Sequence, residues 1–283
     1  MPGWLRQAFG DRWLLLVVPT LAFLLIFFGY PVVQMLLRSV QEPTSGLGNY
    51  ELFFQTEVYV KILRRTVTTA IIVTVVCLAL AYPYAYLMSI VSRRWRIVLL
   101  AVVLLPFWTS LMVRTYAWII LLQDTGIVND VLERAGIGRQ SLIRNTLGVT
   151  IAMAQILLPF MVLPLYAVMQ GIDRRLVQAA ESLGANPAKA FLRIYVPLSM
   201  PGVIAGATLV FILSLGFYVT PALLGSPQNA MLSQLIVQQV STLLNFGMGG
   251  TMAAILLAVI LVILLGISRV VRPSAAYDAV GPR

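Results

Sequence analysis

The sequence predicts an all-α, polytopic membrane protein with six transmembrane helices and one solvent-facing helix–turn–helix loop. Three observations carry that prediction. Of 283 residues, 60% are hydrophobic and only 11% charged, with a mean hydropathy of +0.91, whereas a soluble domain carries roughly 25% charged residues. Uncharged stretches reach the roughly 20 residues that a bilayer-spanning helix needs. The Lys and Arg that remain flank those stretches unevenly.

Span 1 lies between Arg12 and Arg38. It is longer than the roughly 7–15-residue apolar core of a signal peptide and no A-x-A-like site closes it, so it reads as an uncleaved anchor. Span 2 lies between Arg65 and Arg93, and span 3 runs from Arg96 to about Leu122, interrupted by Arg114. Span 4 lies between Arg144 and Asp173. No charge follows Arg193 until Arg269, and the polar break Gly225-Ser226-Pro227-Gln228-Asn229 divides that run into spans 5 (200–224) and 6 (247–268). Pro31, Pro83, Pro106, Pro159, Pro164 and Pro221 fall inside spans, where neighbouring helices can satisfy the freed carbonyls.

Orientation follows from the excess of Lys and Arg on the cytoplasmic side. The N-terminus, the 2–3 loop, the 4–5 loop and the tail hold twelve: Arg6, Arg12, Arg93, Arg94, Arg96, Arg174, Arg175, Lys189, Arg193, Arg269, Arg272 and Arg283. The other side holds seven, nearly balanced by Glu42, Glu51, Glu57, Asp124, Asp130 and Glu133. Both termini and the 4–5 loop are therefore expected in the cytoplasm. The net charge of +10 reads as this flanking charge and not as a nucleic-acid surface. With no His and one Cys, Cys/His zinc sites, intrachain disulfides and His-based catalysis are excluded. Neither Lys61 nor Lys189 sits in a phosphate-cradling P-loop, so the chain cannot hydrolyse ATP by that route.

The 4–5 loop has its own pattern. Asp173 can cap a helix with apolar positions Leu176, Ala179, Ala180 and Leu183. Gly184 can end it in the left-handed conformation. Asn186 and Pro187 can start a second helix, with apolar positions Ala188, Phe191, Leu192 and Tyr195, which Pro197 is expected to stop before span 5. Such a pair is either an amphipathic connector on lipid headgroups or a docking element for another protein. The alanines at the centre of the first stripe favour docking, because small residues anchor poorly in lipid and let a partner approach.

This loop resembles the EAA motif of type I ABC importer permeases: Glu-Ala-Ala, three residues, Gly, nine residues, Ile, one residue, Leu-Pro. Here it reads Gln178-Ala179-Ala180, Gly184, Ile194 and Val196-Pro197 at the same spacing, with Gln for Glu and Val for Leu. SLMVRTYAW at 110–118, TGIVND at 125–130 and ILLPFMVLPLY at 156–166 are similar to the spermidine/putrescine permease branch. The resemblance implies an N-terminal span and extracytoplasmic loop over 1–65, a permease core over 66–270 and a cytoplasmic tail over 271–283. It also implies that Gln178, Ala179, Ala180, Glu181, Gly184, Ile194 and Pro197 form a coupling loop against an ATP-binding cassette ATPase dimer, which would bind ATP and Mg. Further implied partners are a second, different permease chain and an extracytoplasmic solute-binding protein. The setting would be a bacterial inner membrane, and the chain itself would be neither an enzyme nor a cofactor binder.

For the solute path, Arg114 is the one ionisable residue within a span, expected to line a water-filled vestibule or to brace a neighbouring helix through carbonyls or Asp124. Trp108, Trp118, Phe217 and Tyr218 could offer cation–π surfaces to an ammonium. Tyr82, Tyr84 and Tyr86 read as interfacial anchors, with cavity lining the alternative. Gly202 and Gly206 form a small-xxx-small face on span 5, either packed or facing lipid. Two other classes remain open: an ion-coupled secondary transporter, for which the spans lack Asp and Glu, and a scaffold, for which the loop would be superfluous.

Overall fold

A computed structural model describes residues 14–43 and 45–270, and among them every regular element is helical. Arg6, Arg12, Arg272, Arg283 and the tail at 271–283 lie outside the described residues. Among the described residues five helices are long and apolar enough to cross a membrane, six if the bent pair at 93–134 is counted as one span.

The chain forms two compact units. One comprises the described residues up to Glu57 with Leu235–Val259. In it, α1 (residues 14–41) carries one π turn at Leu25–Gly29, and α2 (Gly48–Gln55) follows. Ser39 is fully buried and joins α1 to α2, its hydroxyl 2.9 Å from that of Tyr50. A Cβ at Gly250 would stand 2.5 Å from the Met35 carbonyl, so the absence of a side chain lets two backbones touch. Glycines at the start of span 6 are thus helix-packing residues.

The second unit comprises Val58–Gln234 with the residues from Ile260 on. Its long helix, α3 (Glu57–Ile90), starts nine residues before the span predicted after Arg65. Lys61, Arg64 and Arg65 mark where apolar surface ends, but a helix continues past that limit because its backbone bonds do not depend on the surroundings. α3 packs on α7 (Thr146–Met169), which starts at Asn145, whose side chain accepts from the Gly148 N–H at 2.9 Å. Cys77 is buried between the two and donates to the Ala154 carbonyl at 3.4 Å.

Span 3 is not one helix. α4 (Arg93–Leu104) tightens into a 3₁₀ turn at Leu105–Trp108, and α5 (Leu111–Leu122) and α6 (Ile127–Arg134) follow, with a bend of 99°. Pro106 lacks an N–H, and its carbonyl accepts from both the Thr109 N–H at 3.1 Å and its hydroxyl at 2.7 Å. Thr109 and Ser110 are extended, and the ladder restarts with Arg114 N–H to the Ser110 carbonyl at 3.1 Å. Within α6, buried Asn129 ties the flanking loops together: its amide donates to the Gln123 carbonyl at 3.1 Å and its oxygen accepts from the Gln140 N–H at 2.8 Å. Arg139 closes the same loop on Glu133 (3.0 Å) and Asp130 (3.5 Å), and the Glu133 hydrogen bond holds its guanidinium pKa above the ordinary value.

α8 (Arg175–Ser182) and α9 (Pro187–Leu215) come next. Span 5 thus runs over 187–215 and not 200–224. Gly202 and Gly206 are buried against α7; a Cβ at Gly206 would stand 2.8 Å from the Met161 sulfur and 3.1 Å from its carbonyl. Short helices α10 (Val219–Leu224) and α11 (Leu232–Val237) flank the polar break, which holds a 3₁₀ turn at Pro227–Asn229, and α12 (Phe246–Val270) is the last crossing. Thr66 of α3 starts α11, its hydroxyl accepting from the Leu232 N–H at 2.8 Å.

Candidate functional site

The loop at 173–197 folds through contacts local in the chain. The Asp173 carboxylate accepts from the Arg175 N–H at 2.9 Å and starts α8. At the far end Gly184 has φ +89°, and the Ala185 N–H reaches back to the Ala180 carbonyl at 3.0 Å while the Gly184 N–H bonds the Glu181 carbonyl at 2.9 Å. This doubly bonded reversal needs a left-handed residue, which glycine adopts without a Cβ clash. Asn186 then caps α9, accepting from the Ala188 N–H at 3.0 Å, with Pro187 in the first turn.

Pro197 does not stop the second helix. A π turn at Phe191–Tyr195 carries the Val196 N–H back five residues to the Phe191 carbonyl, and the wider turn accommodates the ring that follows. The second helix of the elbow is therefore continuous with a membrane crossing.

Aromatic rings anchor the elbow to α3. Phe191 meets Tyr86 edge-on at 5.3 Å and Tyr82 at 6.4 Å, and stacks on Tyr195 at 5.3 Å. Tyr82 also shares a hydrogen bond with Ser199 at 2.9 Å, Tyr195 one with Ser89 at 3.3 Å, and Arg174 donates to the Ser89 carbonyl. Tyr82 and Tyr86 thus pack inside the protein. Their spacing of four residues was the only sequence signal for that shared face; the partners lie more than a hundred residues away.

The outer side of the elbow has no such cover. Leu183 is 89% exposed, and Gln178, Ala179, Glu181 and Gly184 are also exposed. Ala180 and Ile194 are half-buried and line a recess of about 610 Å³ with Gly184, Asn186, Lys189 and Arg193. The elbow presents an apolar tip beside a basic groove, and Lys189 and Arg193 had no place in the sequence-predicted set.

The residues expected along a solute path separate. The Arg114 Nε is buried with no hydrogen-bond partner, and among the described residues Arg114 makes no ion pair with Asp124, which is exposed. The intervening turn explains this, because Asp124 follows the last residue of α5 and belongs to the Arg139 loop. Trp118 and Phe217 are partly buried against the core, and Tyr218 is 40% exposed. The Trp118 indole N–H donates to Gln155 at 3.2 Å, and Trp108 is 87% exposed. What joins α5 to α10 is a buried pair that sequence reading missed, Thr115 and Thr220, hydroxyl to hydroxyl at 3.2 Å.

A bundle of apolar crossings with a solvent-facing elbow on one of them defines a membrane permease of the type I ABC importer class. Over residues 13–276 the chain belongs to the family described as "binding-protein-dependent transport system inner membrane component", and it is a multi-pass inner-membrane protein and a transport component. It is 35% identical over 209 residues, covering 73% of each chain, to the spermidine/putrescine transport system permease protein PotB of Haemophilus influenzae. To the Escherichia coli protein of that name it is 33% identical over 221 residues, 77% of this chain and 80% of the relative. The E. coli inner membrane ABC transporter permease protein YdcU is 32% identical over 251 residues, 84% and 78% of the two chains. The fold is also that of a chain in the crystal structure of a bacterial alginate ABC transporter in complex with alginate pentasaccharide-bound periplasmic protein, with TM-score 0.76, 19% identity and coverage of 94% and 96%.

Proposed function

We propose that this permease moves a polyamine such as putrescine or spermidine inward, driven by ATP that a separate cytoplasmic ATPase dimer hydrolyses. ATP and Mg²⁺ belong to that partner. An extracytoplasmic binding protein delivers the solute, and a second, different permease chain completes the pore. Both termini and the elbow face the cytoplasm.

The observation that carries the reading is the elbow: anchored to α3 on its inner side, uncovered on its outer side, and continuous with a membrane crossing. Gln178, Ala179, Ala180, Glu181 and Gly184 form the docking surface in this reading. Ile194 and Pro197 carry the movement into α9. The polyamine assignment rests on relatives named as spermidine/putrescine permeases. Trp118, Phe217, Tyr218 and Arg114 are candidates for the path.

Reconstitution tests the mechanism. Uptake of labelled putrescine into proteoliposomes should require the ATPase, ATP and the binding protein together. Uptake on an ion gradient alone would overturn the importer reading, and a cognate binding protein that takes a different small solute would overturn only the polyamine assignment.

A further inference from the structure

The 34 residues of α3 extend about 51 Å at 1.5 Å per residue, well beyond a hydrocarbon core of about 30 Å. Its uncharged stretch begins after Arg65, so Lys61, Arg64 and Arg65 stand where lipid headgroups lie. The three share one helix face, at offsets of three and four residues. With Thr68, Thr69 and Thr146 they line a recess of about 460 Å³ at the end of α3 remote from the elbow.

Among the described residues no anion neutralises this recess. Among the described residues none of the three cations makes an ion pair, and Glu57, four residues before Lys61, is not within 4.0 Å of it. One Arg65 nitrogen donates to the Ala230 carbonyl at 3.4 Å, leaving most of its fork free. The hydroxyls of Thr68 and Thr146 already donate, to the Arg64 carbonyl at 2.8 Å and to Asn229 at 3.4 Å, so recognition of a ligand falls to the cations. Two guanidinium groups and an ammonium suit a phosphate better than a single carboxylate, because their donors can spread over several oxygens.

The lining of the recess also includes the apolar Ile72. On the adjoining face of α3 a second groove of about 440 Å³ runs along Ile71, Val75, Phe211 and Ile263. A free phosphate has no use for such a groove, whereas a phospholipid has both a charged head and an acyl chain. We propose that Lys61, Arg64 and Arg65 hold the phosphate of an anionic phospholipid, with an acyl chain lying along the apolar groove.

The test uses the full chain in its transporter complex, delipidated in detergent and titrated with phosphatidylglycerol or phosphatidylcholine under native mass spectrometry. The wild type should retain phosphatidylglycerol at least about tenfold better than phosphatidylcholine. K61Q/R64Q/R65Q should lose that preference, and K61R/R64K/R65K should keep it. Should the triple neutralisation fail to fold, Arg64→Gln alone, which removes an exposed side chain, should reduce the preference severalfold. Equal retention in wild type and neutralised variants overturns the proposal, as does displacement of phosphatidylglycerol by millimolar inorganic phosphate. Unchanged lipid preference with weakened capture of the binding protein also overturns it, assigning the cluster to an acidic protein surface.

Discussion

The elbow at 173–197 makes its turns with bonds between residues at most five apart: Asp173 to Arg175, Ala185 to Ala180, Asn186 to Ala188. The bent segment at 93–134 turns through 99° and is held by Thr115 on Thr220 and Trp118 on Gln155, partners 105 and 37 residues away. Both segments contain a proline at the decisive point. Pro187 starts a helix and Pro106 ends one, and the difference lies in what precedes each: a capping Asn186 in the first case, an apolar helix in the second. A turn built from its own side chains can move as a body without losing its shape, which suits a part that transmits force. A turn built from distant partners holds several elements in register.

Substitutions sharpen this contrast. The largest effect is expected at Gly184, where an added Cβ meets nothing within 4 Å but φ is +89°. Gly184→Val should strain the turn by roughly 1–2 kcal/mol and swing α8 away from its docking position. Uptake in the reconstituted system should fall to background while the inserted amount of chain is unchanged; wild-type coupling would break the contrast at its strongest point. Next comes Phe191→Ala, which deletes three ring contacts worth about 0.5–1.5 kcal/mol each. Thermal unfolding of the purified complex should register a loss of about 2 kcal/mol or more.

Thr115→Val probes the bent segment by leaving the Thr220 hydroxyl unpaired, for a loss of about 1–2 kcal/mol. Its mark should be altered protease or thiol accessibility around α10, far along the chain from the substitution. Asn186→Ala removes only a local cap, about 1 kcal/mol, and its mark should stay within the elbow. If Asn186→Ala disturbed α10, or Thr115→Val left it unchanged, the division between local and distant construction would be wrong.

The same division explains what could be read from the sequence. Every cap of the elbow was legible because Asp173, Gly184, Asn186 and Pro187 act on neighbours. Its continuity with α9 was not, because the π turn at 191–195 has no residue signature and Pro197 alone reads as a stop. Apolar runs revealed the crossings, yet charge marked only the membrane limit of α3, whose helix passes Arg65 unbroken. The bend in span 3 was invisible to hydropathy, since an apolar run continues on both sides of it, through 98–108 and 111–122. Within the candidate site, the exposed tip was legible from the helical stripe at Leu176 and Leu183. The anchoring by Tyr82 and Tyr86 needed a fold to bring distant rings together, and the expected pairing of Arg114 with Asp124 failed because a turn intervenes.

The claim that the elbow receives the ATPase is tested most directly at Leu183, its most exposed large apolar side chain. The sole native cysteine, Cys77, is buried, so a Leu183→Cys variant carries one reactive thiol. In the assembled transporter, a short thiol-directed photocrosslinker at that position should attach to the ATPase subunit in high yield, with the yield changing when ATP is bound. Attachment to lipid alone, with no ATPase adduct in any nucleotide state, would contradict the account.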